Sequence, residues 1–112
     1  MKARAFIFLG VFLFVFSCTK EVGTLKPVEI DCSKVTYGND INPIISSKCT
    51  KCHVGSFVYG DFTSYPDLKA RVDNGRFKLW VIDTKLMPPS GPLSTVELKK
   101  IQCWLDAGAP NN

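Results

Sequence analysis

Five consecutive residues, Cys49-Thr50-Lys51-Cys52-His53, constrain this chain more than any other part of it. C-x-x-C-H is the attachment pattern of c-type haem. Two thiols three residues apart can reach two vinyl groups on one edge of a porphyrin, and the next residue sets an imidazole under the iron. A chain carrying such a group has to wrap around a flat apolar plate. His53 is the only histidine, which leaves no second imidazole for an ordinary Cys/His zinc site. Met87 is the only methionine apart from Met1. One histidine and one methionine are one possible pair of axial haem ligands.

The N-terminus reads as an export signal. Lys2 and Arg4 precede an apolar run from Ala5 to Phe16, and Ser17-Cys18 follows. The run is shorter than the roughly 20 residues of a spanning helix and fits a signal core over residues 1–17. A cysteine directly after a small residue resembles a lipobox, which makes Cys18 the expected lipidation site and the new N-terminus. The expected location is therefore outside the cytoplasm, on the periplasmic side or at the outer membrane, held by lipid. Thiol-attached haem is also assembled outside the cytoplasm in bacteria, so the two features agree.

Cleavage before Cys18 leaves residues 18–112, enough for one domain. Small domains bury too little surface to be comfortably stable, and an attached haem would supply the centre of the core. The net charge of +4 falls to +2 once Lys2 and Arg4 leave, with 12 basic against 10 acidic residues. There is no long basic run, so nucleic acid is not an expected partner.

Five cysteines divide among three tasks: Cys18 for lipid, Cys49 and Cys52 for haem, and Cys32 and Cys103 left over. In an oxidising compartment a leftover pair suggests a disulfide, with two buried thiols as the alternative. The bridge would close a loop of about 70 residues, worth roughly 4 kcal/mol in the chain-entropy model.

Residues 18–36 read as lipidated N-terminus and tether, with Cys32 to Gly38 extended and packed by Val35 and Tyr37. Ile41, Ile44, Ile45 and Cys49 share one helical face, which predicts a first helix from Asp40 or Ile41 to about Lys48. Asn39 or Asp40 is its expected cap, and Pro43 fits its first turn. Val54 to Thr63 reads as a loop with aromatic packing against the haem. Ser64 opens a second helix, with Tyr65, Leu68 and Val72 inward, and Asn74-Gly75 stops it. Arg76 to Asp83 reads as an irregular or short helical segment lining the haem, and Lys85 to Pro92 as a stiff loop. Ser94-x-x-Glu97 is a capping box opening a last helix. Leu98, Ile101, Trp104 and Leu105 form its apolar face, Lys99, Lys100 and Asp106 face water, and Gly108 and Pro110 end it.

Taken together, Asp40-Ile41-Asn42-Pro43-Ile44, the C-x-x-C-H, Met87-Pro88-Pro89, Leu93-Ser94-x-x-Glu97, Trp104 and Ala107-Gly108-Ala109-Pro110 resemble a small single-haem cytochrome c domain of Gram-negative lipoproteins. The resemblance covers residues 37–112. It implies an all-α fold of about three helices around one covalent haem, the first and last helices packed together. It implies Cys49 and Cys52 as thioether donors, His53 as proximal iron ligand and Met87 as distal ligand. Pro88 and Pro89 would hold the Met87 loop in order. Trp80 is expected in the haem wall, with its N–H able to reach a propionate, and Arg71 and Arg76 could neutralise propionates.

The expected function is an electron carrier or relay, monomeric, meeting redox partner proteins, and not an enzyme. A haem-based sensor or peroxidase-like domain with a displaceable distal ligand is the rival. A zinc module built from Cys32, Cys49, Cys52, His53 or Cys103 is the weakest alternative.

Overall fold

The computed structural model describes residues 27–112. The signal segment, Cys18 and the first part of the tether lie outside the described residues. Within them the chain is all-α. Helix α1 is Asn42–Lys48, α2 is Tyr65–Asp73, α3 is Arg76–Lys78 and α4 is Thr95–Asp106. A π-helical turn, Tyr37–Ile41, runs straight into α1, and a second, Leu79–Asp83, continues α3. Among the described residues there is no strand, and no helix is long and apolar enough to cross a membrane. With α3 counted, four helices stand where about three were expected.

The first helical path opens earlier than its apolar spacing indicates. Pro43 has no N–H to complete the ladder ahead of it, and the N–H of Asn42 instead donates to the Tyr37 carbonyl, five residues back. The cap is Thr36, whose hydroxyl accepts from the Asn39 N–H at 3.3 Å, rather than Asn39 or Asp40. Asp40 serves the same end from inside the turn, accepting from the Thr36 N–H at 3.0 Å. Upstream, Cys32–Lys34 is a 3-10 turn and not extended. Asp31 bends it by accepting from the Ser33 N–H at 3.1 Å and its hydroxyl at 2.7 Å. Val35 and Tyr37 do pack on the core.

The other helix starts follow their local signals. Ser64 accepts from the Asp67 N–H at the head of α2, and Gly75, at φ 76°, turns the chain out of it. At α4 both halves of the capping box form: Glu97 N–H to Ser94 Oγ at 3.2 Å, and Ser94 N–H to Glu97 Oε2 at 2.8 Å.

Trp104 is the centre of the packing. It is fully buried together with Ile41, Ile45, Leu68 and Ile101. The Tyr37 ring lies 5.8 Å from it and the Phe77 ring meets it edge-on at 6.4 Å. Its indole N–H donates to the Pro110 carbonyl at 2.9 Å, so a buried polar group is satisfied. The C-terminal tail then folds back over this cluster. Tyr65 donates to the Ala109 carbonyl at 2.8 Å. Asn112 accepts from the Tyr37 N–H at 2.8 Å through its side chain and from the Gly38 N–H at 2.9 Å through its carbonyl.

The N-terminal turn and α4 pack against each other. Lys100, expected to face water, reaches across to Asp40 at 2.8 Å and is about two-thirds covered. The Cys32 and Cys103 sulfurs stand 1.93 Å apart, a disulfide distance, joining the segment ahead of the domain to the last helix.

Candidate cofactor site

The C-x-x-C-H residues form one more turn on the end of α1. Cys49 N–H donates to Ile45 O at 2.9 Å, and His53 N–H donates to Cys49 O at 2.9 Å. A helical turn places residues three and four apart on one side, so Cys49, Cys52 and His53 all border one cavity of about 500 Å3. Its size falls in the cofactor range of about 300–1,000 Å3. Met87 and Trp80 close the cavity from the far end of the chain, with Phe57, Phe62 and Leu93 on its walls.

His53 is held from three sides. Its Nδ1 lies 3.2 Å from the Gly60 carbonyl. A carbonyl only accepts, so Nδ1 carries the proton and Nε2 keeps its lone pair for a metal. Phe62 stacks on the imidazole at 4.2 Å and 2°, and Phe57 meets it edge-on at 5.2 Å. The loop that delivers Gly60 and Phe62 is tied by Asp61. Its carboxylate accepts from the Thr63 hydroxyl at 2.6 Å, the Thr63 N–H at 2.8 Å and the Gly55 N–H at 2.9 Å. Those bonds, the Thr63 hydroxyl first, hold the Asp61 carboxyl below the usual range.

Burial pushes the Cys49 thiol up to about 11, which keeps it neutral at neutral pH. Cys52 is exposed, and neither sulfur is bonded to another. Met87, on the cavity wall, is 36% exposed. Its N–H and that of Leu86 both donate to the Trp80 carbonyl, at 3.1 and 3.0 Å.

Every described residue assigned to the haem site by the sequence thus borders a single cavity, while Cys32 and Cys103 lie together elsewhere. The sequence reading missed the Gly60 carbonyl, the Phe62 stack and the Asp61 clasp. Glycine among loop aromatics was the available signal, but which carbonyl meets the imidazole depends on the path of the loop. Trp80 contributes through its backbone as well as its ring, which no side-chain pattern encodes. Among the described residues no group of three or more His, Cys, Asp or Glu side chains is gathered to hold a metal ion.

Comparison with protein-family models, with curated proteins and with solved structures finds no match for this chain.

The residues present fit a covalently held haem. Two unpaired thiols, an imidazole with its outer nitrogen committed to a carbonyl, and a thioether border the same space. Its remaining surface is dominated by aromatic and aliphatic side chains, and no acidic residue lines it.

Proposed function

We propose that this chain is a small exported electron carrier or relay, a helical cytochrome c domain with one c-type haem held in the cavity beside His53. The observation that carries the reading is the convergence of Cys49, Cys52, His53 and Met87 on that cavity, with His53 Nδ1 already engaged by Gly60. When bound, the group supplies an iron that gains and loses one electron reversibly.

The chain's own residues do the rest. Cys49 and Cys52 hold the group as thioethers, which are uncharged and suit the apolar wall around Cys49. The Gly60 carbonyl orients the imidazole and raises its basicity as a ligand. Met87 offers a soft, neutral donor that favours ferrous iron and raises the potential. Phe57, Phe62 and Phe77 line the cavity and would keep water from the bound group. Lipid on Cys18 would keep the domain at a membrane surface.

The test is a mass and a spectrum. The purified mature protein, denatured in acid, should retain the haem mass; its loss would remove the proposal. The oxidised protein should show the weak long-wavelength band of a sulfur–iron bond, absent in Met87→Ala. Cys18→Ser should move the protein from the membrane fraction to the soluble fraction.

One observation favours the rival sensor or peroxidase-like reading. Met87 is partly exposed on the cavity wall, and a solvent-accessible thioether is suited to a displaceable ligand. Ready carbon monoxide binding by the wild type, without the sulfur–iron band, would put that reading first.

A further inference from the structure

Arg71 and Arg76 both border the cavity, and among the described residues neither is in an ion pair. Lys48, the third cation on the wall, lies 4.0 Å from Glu97. The cavity thus has two uncommitted guanidinium groups and no acidic residue of its own. A planar, doubly hydrogen-bonding cation suits a carboxylate. The chemistry points to a ligand that is apolar over most of its surface and acidic at one end.

The two arginines differ in a second respect. Arg71, on α2, is half-buried and packs over Gly60, whereas Arg76 is exposed at the start of α3. A Cβ built on Gly60 would fall 2.9 Å from Arg71 Nε and 3.2 Å from Phe62 Cε1. Gly60 also has φ of 111°, a conformation that side chains resist. Its carbonyl is the one that receives His53 Nδ1–H, and Phe62 is the ring stacked on that imidazole. Arg71, Gly60, Phe62 and His53 are one contiguous group, whereas Arg76 shares only the cavity wall with it.

We infer that Arg71 is a positioning residue joining the two ends of the site: its terminal guanidinium nitrogens take a carboxylate of the cavity ligand while its Nε, packed over Gly60, holds that residue against His53. Arg76 takes a carboxylate without that second task. The inference rests on the haem reading, in which the ligand's two propionates supply the acidic end.

The experiment compares Arg71→Gln with Arg76→Gln in the haem-bearing protein. One readout is the midpoint potential by spectroelectrochemistry. The other is the NMR position of the His53 ring Nδ1–H in the reduced state. Both substitutions should lower the potential, because each removes a cation that stabilises the added electron. Only Arg71→Gln should also displace the Nδ1–H resonance. Gly60→Ala should displace it with both charges kept. If Gly60→Ala does not fold, Arg71→Lys replaces it: the charge stays, the Nε contact goes, and the resonance should move while the potential holds. Equal responses of the two Gln variants in the resonance, or an unchanged potential in both, overturn the inference. Protein purified without covalent haem overturns the functional reading instead, and mass measurement separates the two failures.

Discussion

The two tryptophans stand in halves of the molecule that are built differently. Trp104 is fully buried, its indole N–H bonded to Pro110 and its faces covered by aromatic neighbours. Trp80 is 42% exposed, and Leu79, Leu86 and Met87 near it are exposed as well. Around Trp104 the chain satisfies itself: the N-terminal turn, α4 and the tail exchange backbone and side-chain hydrogen bonds over a continuous apolar core. Around the cavity, apolar side chains face space that the chain does not fill, and exposed Phe57, Val58 and Tyr59 continue the same pattern. Large exposed apolar groups beside a cavity mark a place finished by something else. The difference teaches that the fold has one half packed on itself and one half whose apolar side chains border a cavity, the half in which the proposed haem would sit.

Substitutions should separate the halves. The largest effect is expected from Trp104→Ala, about 3–5 kcal/mol by the cost of truncating a buried aromatic. It should appear in denaturant unfolding whether or not a cofactor is attached. Next is Cys32→Ser. If the pair forms the bridge its sulfur separation indicates, losing it should cost about 2–4 kcal/mol. Peptide mapping without reduction should show the linked pair in the wild type, and alkylation of both positions in native protein would refute it.

A smaller effect lies in the Asp40–Lys100 pair. The Lys100 hydrogen bond, followed by the Thr36 N–H, lowers the Asp40 carboxyl below its usual value. A depressed carboxyl stabilises the folded state above its unfolded value, near 3.9, and that contribution disappears as pH falls through the folded value. Asp40→Asn should therefore cost up to about 1 kcal/mol at pH 7, as for a partly solvated pair. The gap from wild type should close in acid, and a gap that persists at low pH would exclude the ionic origin. The smallest stability change belongs to Val58→Ser, within about 0.5 kcal/mol because the side chain is mostly in water. A large loss there would show that the exposed loop carries core packing after all and would blur the contrast between the halves.

Legibility in the sequence also divides along this line. Signals contained within a few residues translated directly. Ser94 and Glu97 cap α4, Ser64 opens α2, and the C-x-x-C-H extends α1 so that its three chemical groups border one space. Arg76–Asp83 is helical despite an alternation that resembles a strand, since Phe77 and Val81, four apart, are the buried residues there. What escaped needed partners far away in the chain or a backbone path. The Tyr37–Asn112 bond spans 75 positions, and Lys100 finds Asp40 across 60. The early start at Thr36 escaped because a π-helical turn breaks the 3.6-residue period on which the apolar pattern was read. Gly60 escaped because a loop carbonyl has no residue identity to recognise.

The bonds between Tyr37, Gly38 and Asn112 bring the two ends of the helical domain to one spot. Chain that enters at Thr36 and chain at Asn112 therefore lie side by side. Such an arrangement suits a cassette that a surface loop of another protein carries by two adjacent points, provided the entering segment keeps Cys32 beside Cys103.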